Sequence, residues 1–130
     1  LGLDRAEIDR RIESALEAVD MNAHRERRID RLSGGQQARI AIAGALAMEP
    51  THLVLDEPFS GLDWPARRAV LERLDTLSAD GTSVLIVTHD LRGLLDRADR
   101  IIALTEGEIA FDDTPEAASR RLGSLDIRQC

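Results

Sequence analysis

The segment Leu32-Ser33-Gly34-Gly35-Gln36 combines residue types that suit the binding of a phosphate group. Two adjacent glycines let the backbone approach a ligand closely, and the serine adds a hydroxyl group. A helix that begins here would present unsatisfied N–H groups and the positive end of its dipole. We interpret the segment as a site for the terminal phosphate of a nucleotide, although a simple helix N-cap without any ligand also fits the same residues.

Asp56 and Glu57 form a pair of adjacent acids directly after the apolar run Leu53-Val54-Leu55. Such a short run, bounded by turn residues, is typical of a strand that is buried on both faces of a parallel sheet. Open α/β sheets bind their ligands beyond the carboxyl ends of such strands. At this position Asp56 could hold Mg²⁺ through water, and Glu57 could orient or deprotonate an attacking water. The alternative for either carboxylate is a helix cap or a surface charge.

Two more polar residues stand at predicted element boundaries. Asp63, which closes Ser60-Gly61-Leu62-Asp63, is expected mainly as the N-cap of the next helix. His89 follows a second predicted buried strand, so we expect it at the same sheet edge as Glu57, where it could hydrogen-bond a γ-phosphate. A lone histidine is more often structural. The remaining histidines have no comparable placement, and no role is assigned to them: His24 and His52.

The apolar periodicity predicts the elements that would position these residues. Helices are expected from Asp4, over residues 34–48 and 65–79, briefly after Asp90, and from Thr114. Strands are expected at residues 53–55, 83–88, 100–105 and 108–111, and the Arg-rich stretch 20–31 is expected to be a connector. Strands that alternate with helices predict an α/β fold with a largely parallel sheet. The sequence contains no internal repeat and no composition shift that would predict a domain boundary.

Composition excludes several classes of protein. The chain has 130 residues and a net charge of −7, which argues against nucleic acid as a main partner. All 17 basic residues are arginines, and both a GC-rich genome and a salt-adapted cytoplasm would explain this bias. No apolar run approaches the roughly 20 residues of a membrane span. The single cysteine, Cys130, excludes an internal disulfide.

Four segments together resemble, in their order and spacing, the nucleotide-binding domain of ABC transporters, over the chain from about Leu3 to Ala118. The segments are Leu32-Ser33-Gly34-Gly35-Gln36, Leu53-Val54-Leu55-Asp56-Glu57-Pro58, Ser60-Gly61-Leu62-Asp63 and Thr88-His89-Asp90. They are similar to its signature motif, Walker B strand, D-loop and switch histidine. The resemblance implies the C-terminal portion of a P-loop NTPase domain, with a mostly parallel sheet, flanking helices and part of the helical subdomain. Residues 1–48 would hold the helical part and signature helix, and residues 49–130 would hold part of the catalytic core.

The resemblance also implies roles for individual residues and partners. In the family pattern the signature residues contact ATP held by the opposite subunit of a dimer, and these are Ser33, Gly34, Gly35 and Gln36. Asp56 would be the acid of the Mg²⁺ site, Glu57 the catalytic base, Asp63 a contact across the dimer and His89 a sensor of the γ-phosphate. The implied protein is an ATPase on the cytoplasmic face of a membrane, which binds ATP and Mg²⁺. Its partners would be a second ATPase subunit and an integral membrane transporter subunit.

A finer similarity concerns the helix that follows the signature segment. Residues 41–50 are similar to the corresponding stretch of energy-coupling-factor importers for vitamins and for cobalt or nickel ions. Phe59-Ser60 departs from the Thr-Ala pair that is more usual there. By this resemblance the transporter would be an importer, whereas the chemistry of the residues alone does not distinguish import from export.

One part of the family pattern is absent. A P-loop needs a lysine to cradle the β- and γ-phosphates, and this sequence contains no lysine. The adenine-stacking aromatic residue and the Q-loop glutamine lie upstream of the signature in the family and cannot be assigned here. Because the chain opens on Leu1 rather than Met, we expect it to be part of something longer. Alone, it should bind ATP poorly and hydrolyse it negligibly.

Two other functions remain open at this stage. A non-catalytic split half or relic would lend its signature face to another subunit's ATP, but a relic has no use for an intact Glu57 and His89. A soluble, non-transport ABC protein would act on ribosomes or DNA. The short span between Gln36 and Asp56 leaves no room for the coiled coil of the chromosome-maintenance branch, and the acidic balance weighs against the ribosome-associated branch.

Overall fold

A computed structural model describes residues 2–122 of the chain. The chain divides into two compact units, Leu1–Val87 and Thr88–Cys130, which we call the first and second units. None of the helices among residues 2–122 combines the length and apolar character needed to span a membrane.

The first unit contains three helices and two short 3₁₀ turns. The helices are α1 (Arg5–Ala18), α2 (Gly34–Ala47) and α3 (Trp64–Ala79), and the 3₁₀ turns are Asn22–His24 and Ile29–Arg31. Helix α1 begins as the sequence predicts, because the Asp4 carboxylate accepts a hydrogen bond of 2.8 Å from the Glu7 backbone N–H. The predicted end of α2 before Pro50 is also confirmed. The predicted connector between α1 and α2 contains both 3₁₀ turns.

A parallel pair of strands completes the first unit. Strands β1 (His52–Asp56) and β2 (Ser83–Val87) pair in register from His52 opposite Ser83 to Asp56 opposite Val87. Leu53 and Leu55 are buried on one face, whereas Val54 is 65% and Leu85 54% exposed on the other. The prediction that both faces are buried is therefore wrong within the described residues. Residues 2–122 place α3 in contact with β2 but leave the second face of the pair uncovered.

The core of the first unit joins the helices to the inner face of this sheet. Helix α3 contributes an apolar stripe at helical spacing, and its central members are almost completely buried. The core residues of the three helices are Ala15, Leu16, Ile42, Ala43, Leu46, Val70, Leu71, Leu74 and Leu77. Val19 and Met21 extend the core beyond the end of α1. This packing fixes the segments that join α1 to α2 and β1 to α3, which carry the candidate site.

The second unit is a β-hairpin followed by a helix. Strands β3 (Ile101–Thr105) and β4 (Glu108–Asp113) pair antiparallel around the predicted Glu106-Gly107 turn, and α4 spans Pro115–Leu122. Ala103, Phe111 and Ala118 form its small core. The helix predicted after Asp90 is wrong, because residues 92–97 form a series of turns. Gly93 has a φ of 73°, which a right-handed helix cannot contain.

Candidate nucleotide-contacting site

A reciprocal capping box builds the start of the signature helix, α2. The Ser33 Oγ accepts a hydrogen bond of 3.3 Å from the Gln36 backbone N–H. In return the Gln36 Oε1 accepts one of 3.0 Å from the Ser33 backbone N–H. The helix-cap interpretation of this segment is therefore confirmed. It leaves room for a ligand, because a hydroxyl that accepts one hydrogen bond can still donate its own proton.

Gly34 and Gly35 occupy the first two positions of α2, where backbone N–H groups have no acceptor within the helix. Gly35 also lies against the segment before α3. A Cβ atom built on Gly35 would come within 3.0 Å of the Gly61 carbonyl oxygen, whereas one on Gly34 would meet nothing within 4 Å. Packing inside this chain thus favours glycine at position 35, in addition to any approach of a ligand.

The signature and D-loop segments together line an open cleft of about 220 Å³. Its lining residues come from the two segments and from the N-terminal part of the helix that follows each: Ser33, Gly35, Gln36, Arg39, Gly61, Leu62, Asp63 and Ala66. The structure therefore brings together four of the residues singled out from the sequence, namely Ser33, Gly35, Gln36 and Asp63. A hydroxyl, helix-terminal N–H groups and a guanidinium on the α2 side suit an anionic ligand.

Arg39 is a lining residue that the sequence analysis missed. It lies one helical turn after Gln36, and its Nη1 donates a hydrogen bond of 3.4 Å to the Val19 carbonyl oxygen. This contact ties the arginine to the end of α1. The spacing of three residues from Gln36 was the available signal, because residues at i and i+3 share a helix face.

The D-loop segment is held by turns and by a buried cation–π contact. The Ser60 N–H donates to the Glu57 carbonyl oxygen and the Leu62 N–H to the Phe59 carbonyl oxygen, each at 3.1 Å. The Phe59 side chain is buried, and Arg67 is only 3% exposed. The guanidinium carbon of Arg67 lies 4.3 Å from the centroid of the Phe59 ring. The residue that departs from the importer pattern is thus part of the packing that fixes this loop.

Asp63 caps α3, as the sequence predicts. Its Oδ1 accepts a hydrogen bond of 2.9 Å from the Ala66 N–H, and Pro65 lies in the first turn. The carboxylate also lines the cleft, so capping and contact with a ligand or partner are compatible.

Asp56 and Glu57 stand at the carboxyl end of β1. Asp56 is the last residue of the strand and is exposed opposite Val87. The Glu57 N–H extends the ladder by donating to the Val87 carbonyl oxygen at 2.8 Å. Glu57 has a φ of 44°, a left-handed conformation that is unfavourable for a residue with a Cβ atom. Such strain concentrates at functional sites, where the surrounding structure maintains it.

His89 belongs to the second unit, and its predicted proximity to Glu57 stays a prediction. Locally, the Asp90 N–H donates a hydrogen bond of 3.1 Å to the Thr88 Oγ1, which bends the chain around His89. Arg92 pairs with Asp90 through a contact of 2.6 Å, and this bond raises the pKa of Arg92. The turn leaves the histidine side chain exposed.

An ion-pair network joins the start of α1 to the loop after α2. Arg10 and Arg11 both bind the Glu7 carboxylate, at 2.8 and 2.7 Å, and also reach Glu49. The hydrogen bonds from Arg10 and then Arg11 lower the pKa of Glu7 to about 2. The network fixes α1 against α2, and with it the connector that leads to the signature segment.

The described residues contain no cluster of three acids, histidines or cysteines that could hold a metal alone. This arrangement still fits Mg²⁺, which keeps several water ligands and usually takes one or two carboxylates together with substrate phosphates. Asp56, with its exposed carboxylate at the strand end, is the residue that fits this requirement.

Comparison with known proteins gives the family. The ABC transporter family matches residues 3–60, which include the signature and Walker B segments. A putative ABC transporter ATP-binding protein of Halobacterium salinarum is 53% identical over 128 residues, which are 98% of this chain and 55% of that protein. The cobalt import ATP-binding protein CbiO of Syntrophus aciditrophicus is 43% identical over 116 residues, covering 89% of this chain and 41% of that protein.

A solved bacterial ABC transporter cassette, which is a dimer, superposes with a TM-score of 0.79 at 30% identity, over 88% of this chain and 50% of the cassette. The same cassette was also solved in a post-hydrolysis state with bound ADP and phosphate. The chain thus belongs to the ABC transporter ATP-binding family, and its fold is the C-terminal portion of the ABC ATPase cassette, as the sequence predicted. It spans about half the length of the relatives it matches.

Proposed function

We propose that this chain forms the signature and catalytic-acid portion of an ATP-hydrolysing subunit that energises a membrane importer. One observation carries the proposal: the signature and D-loop segments line a single cleft within the first unit. Both segments are expected to face a nucleotide bound by an opposite subunit. A relative named as a cobalt import protein supports the direction of transport.

The α2 side of the cleft would bind the γ-phosphate of ATP in trans. The Ser33 hydroxyl and the N–H groups of Gly34 and Gly35 are the donors, and the helix dipole favours the negative charge. Gln36 holds the serine in place through the capping box. Arg39 adds a positive charge to the same wall.

Hydrolysis would use the acids at the end of β1. Glu57 orients a water in line with the γ-phosphorus and accepts its proton as the new O–P bond forms and the bond to the bridging oxygen breaks. His89 would contact the γ-phosphate, and Asp63 would contact the opposite subunit. Asp56 would hold Mg²⁺ through water, and the ion when bound neutralises charge on the β- and γ-oxygens.

The proposed reaction requires a P-loop that these 130 residues do not contain, since the sequence has no lysine. We therefore expect the chain by itself to hydrolyse ATP negligibly. The proposed partners are a second ATPase subunit and an integral membrane transporter subunit, and the proposed location is the cytoplasmic face of the membrane. The dimeric structure of a related cassette supports the proposed second ATPase subunit.

Intact mass and ATP turnover of the protein purified from its source cells test the proposal. We expect a mass above 14.3 kDa, ATP hydrolysis, and co-purification of an integral membrane protein. Glu57→Gln should lower kcat by about 100-fold or more, the usual range for loss of a general base. Glu106→Gln is a matched control, because Glu106 also has left-handed backbone, with a φ of 50°, but lies in the hairpin turn. Equal loss in both variants would contradict the role of Glu57.

The absence of lysine favours a second candidate, a non-catalytic half that completes the ATP site of another subunit. A source protein of 14.3 kDa that restores turnover only when mixed with a P-loop subunit would support it. In that mixture Ser33→Ala should lower turnover while Glu57→Gln should not. The two candidates therefore differ in the response to Glu57→Gln.

A further inference from the structure

Gln36 has a third contact besides the two of the capping box. Its Nε2 lies 3.1 Å from the Nε2 of His24, in the 3₁₀ turn Asn22–His24. The connector before the signature segment thus reaches the side chain that closes the cap. His24 was assigned no role from the sequence.

The backbone fixes the direction of every hydrogen bond in this chain of contacts. The Ser33 N–H can only donate, so the Gln36 atom that faces it at 3.0 Å must be the carbonyl oxygen. The amide NH₂ group of Gln36 therefore faces His24 and donates to it. It follows that the His24 Nε2 must be the acceptor and carries no proton.

This requirement places the proton of the neutral His24 ring on Nδ1. The Nδ1 atom is buried and has no hydrogen-bond partner among the described residues. A doubly protonated ring would set an N–H donor against the donating amide of Gln36. The structure therefore selects one tautomer of His24 and leaves that tautomer's N–H unsatisfied, which is unfavourable in isolation.

We propose that His24 is a positioning residue for the signature segment, which acts as the acceptor that orients the Gln36 amide and so maintains the reciprocal cap at Ser33. Without the acceptor the Gln36 amide loses the partner that fixes its rotation, and its oxygen can leave the Ser33 N–H. The Ser33 hydroxyl and the first N–H groups of α2 would then lose their fixed arrangement. The effect on nucleotide rests on the proposed function, whereas the hydrogen-bond arrangement does not.

Imidazole ¹⁵N NMR on the intact protein at neutral pH tests the hydrogen-bond arrangement without any activity. The His24 signal, assigned by its absence in His24→Gln, should show a protonated Nδ1 and an unprotonated Nε2. In Gln36→Ala the constraint is gone, and the ring should shift toward the Nε2–H form. A His24 ring with its proton on Nε2 in the unmodified protein would overturn the proposal.

ATP turnover of matched variants of the protein as purified from its source cells, with its P-loop present, tests the consequence. His24→Leu removes the acceptor, and we expect kcat/KM for ATP to fall about threefold to tenfold, the effect of one lost hydrogen bond. His24→Gln can offer an oxygen in place of the ring Nε2 and should recover most of the loss. His52→Leu, at an exposed position of β1, is the control for histidine removal and should leave turnover unchanged.

The outcomes of these experiments separate the proposed ATPase function from the positioning role of His24. If the protein purified from its source cells shows no ATP turnover, the first proposed function fails whatever the tautomer of His24 is. If it turns over ATP but His24→Leu matches the unmodified protein, only the positioning role fails. An equal fall of kcat/KM in His24→Leu and His24→Gln would likewise overturn the acceptor role. If His24 only fills space, the side-chain oxygen of the introduced glutamine would bring no recovery.

Discussion

The α-carbon of Gly35 lies so close to the Gly61 carbonyl oxygen that an added methyl group would be 3.0 Å from it. The signature and D-loop segments are thus in direct backbone contact within one chain. The oxygen belongs to the main chain of a residue with a φ of 75°, so it cannot move aside as a flexible side chain could.

Gly35→Ala should therefore destabilise the first unit by about 1–3 kcal/mol, the usual cost of overpacking. Gly34→Ala is the matched control, because the same atom would meet nothing within 4 Å there. Chemical denaturation of both variants measures the difference. Equal free energies of unfolding would show that the two loops separate easily.

Glu57 should separate stability from activity. Glu57→Gly relieves the left-handed strain, worth about 1–2 kcal/mol, but adds unfolded-state entropy and removes the side chain's own interaction, so the free energy of unfolding should change by no more than about 2 kcal/mol. Glu57→Gln keeps the strain and the shape of the side chain and should change the free energy of unfolding by about 1 kcal/mol or less. Both variants should lose ATP turnover. Thermal unfolding and turnover assays on the same samples measure this, and a large loss of stability in Glu57→Gly would contradict it.

Substitutions of Asp63 separate its helix-capping hydrogen bond from the role of its negative charge. Asp63→Ala removes the bond to the Ala66 N–H and should cost about 1 kcal/mol of stability. Asp63→Asn retains a side-chain oxygen for the cap and should unfold like the unmodified protein. If the charge of Asp63 acts across the dimer, Asp63→Asn should still lower ATP turnover. A fully active Asp63→Asn would leave the residue with its capping role alone.

Glu7 should make α1 sensitive to acid. Its folded-state pKa of about 2 lies below the ordinary value of 4.5, so the ionised form is stabilised by folding. That contribution is present above pH 4.5 and is lost as pH falls toward 2. Glu7→Gln should therefore flatten the decrease in Tm over this range. Glu13→Gln, on the same helix but with no ion pair to any of residues 2–122, should not, and equal curves for both variants would contradict the assignment.

Local signals were sufficient for most of the fold. Caps at Asp4, Ser33 and Asp63 were predicted from residue type and spacing and are confirmed, because a side-chain cap depends only on the next three residues. The failures were non-local or conformational. Gly93 takes a left-handed φ that breaks the expected helix, and a short apolar run does not reveal whether one face of a strand or both are buried.

The candidate site also divides into residues that sequence motifs predicted and residues that only non-local contacts bring in. Motif order identified Ser33, Gly35, Gln36 and Asp63, which the structure gathers in one cleft. His24 could not be found from the sequence, since its contact with Gln36 crosses twelve positions and depends on the path of the connector. The contact between the buried Arg67 and the Phe59 ring is likewise one that no sequence pattern predicts. The roles of Asp56, Glu57 and His89 in hydrolysis stay predictions.

The uncovered face of the β1–β2 pair has a consequence for handling this polypeptide. Val54, Leu85 and Val87 form an apolar patch that residues 2–122 leave in contact with water. Mutual repulsion from a net charge of −7 keeps such molecules dispersed in dilute buffer. Concentrated salt screens that repulsion, and salts such as sulfate strengthen apolar attraction. In such solutions the patch, and not the net charge, will decide colloidal stability.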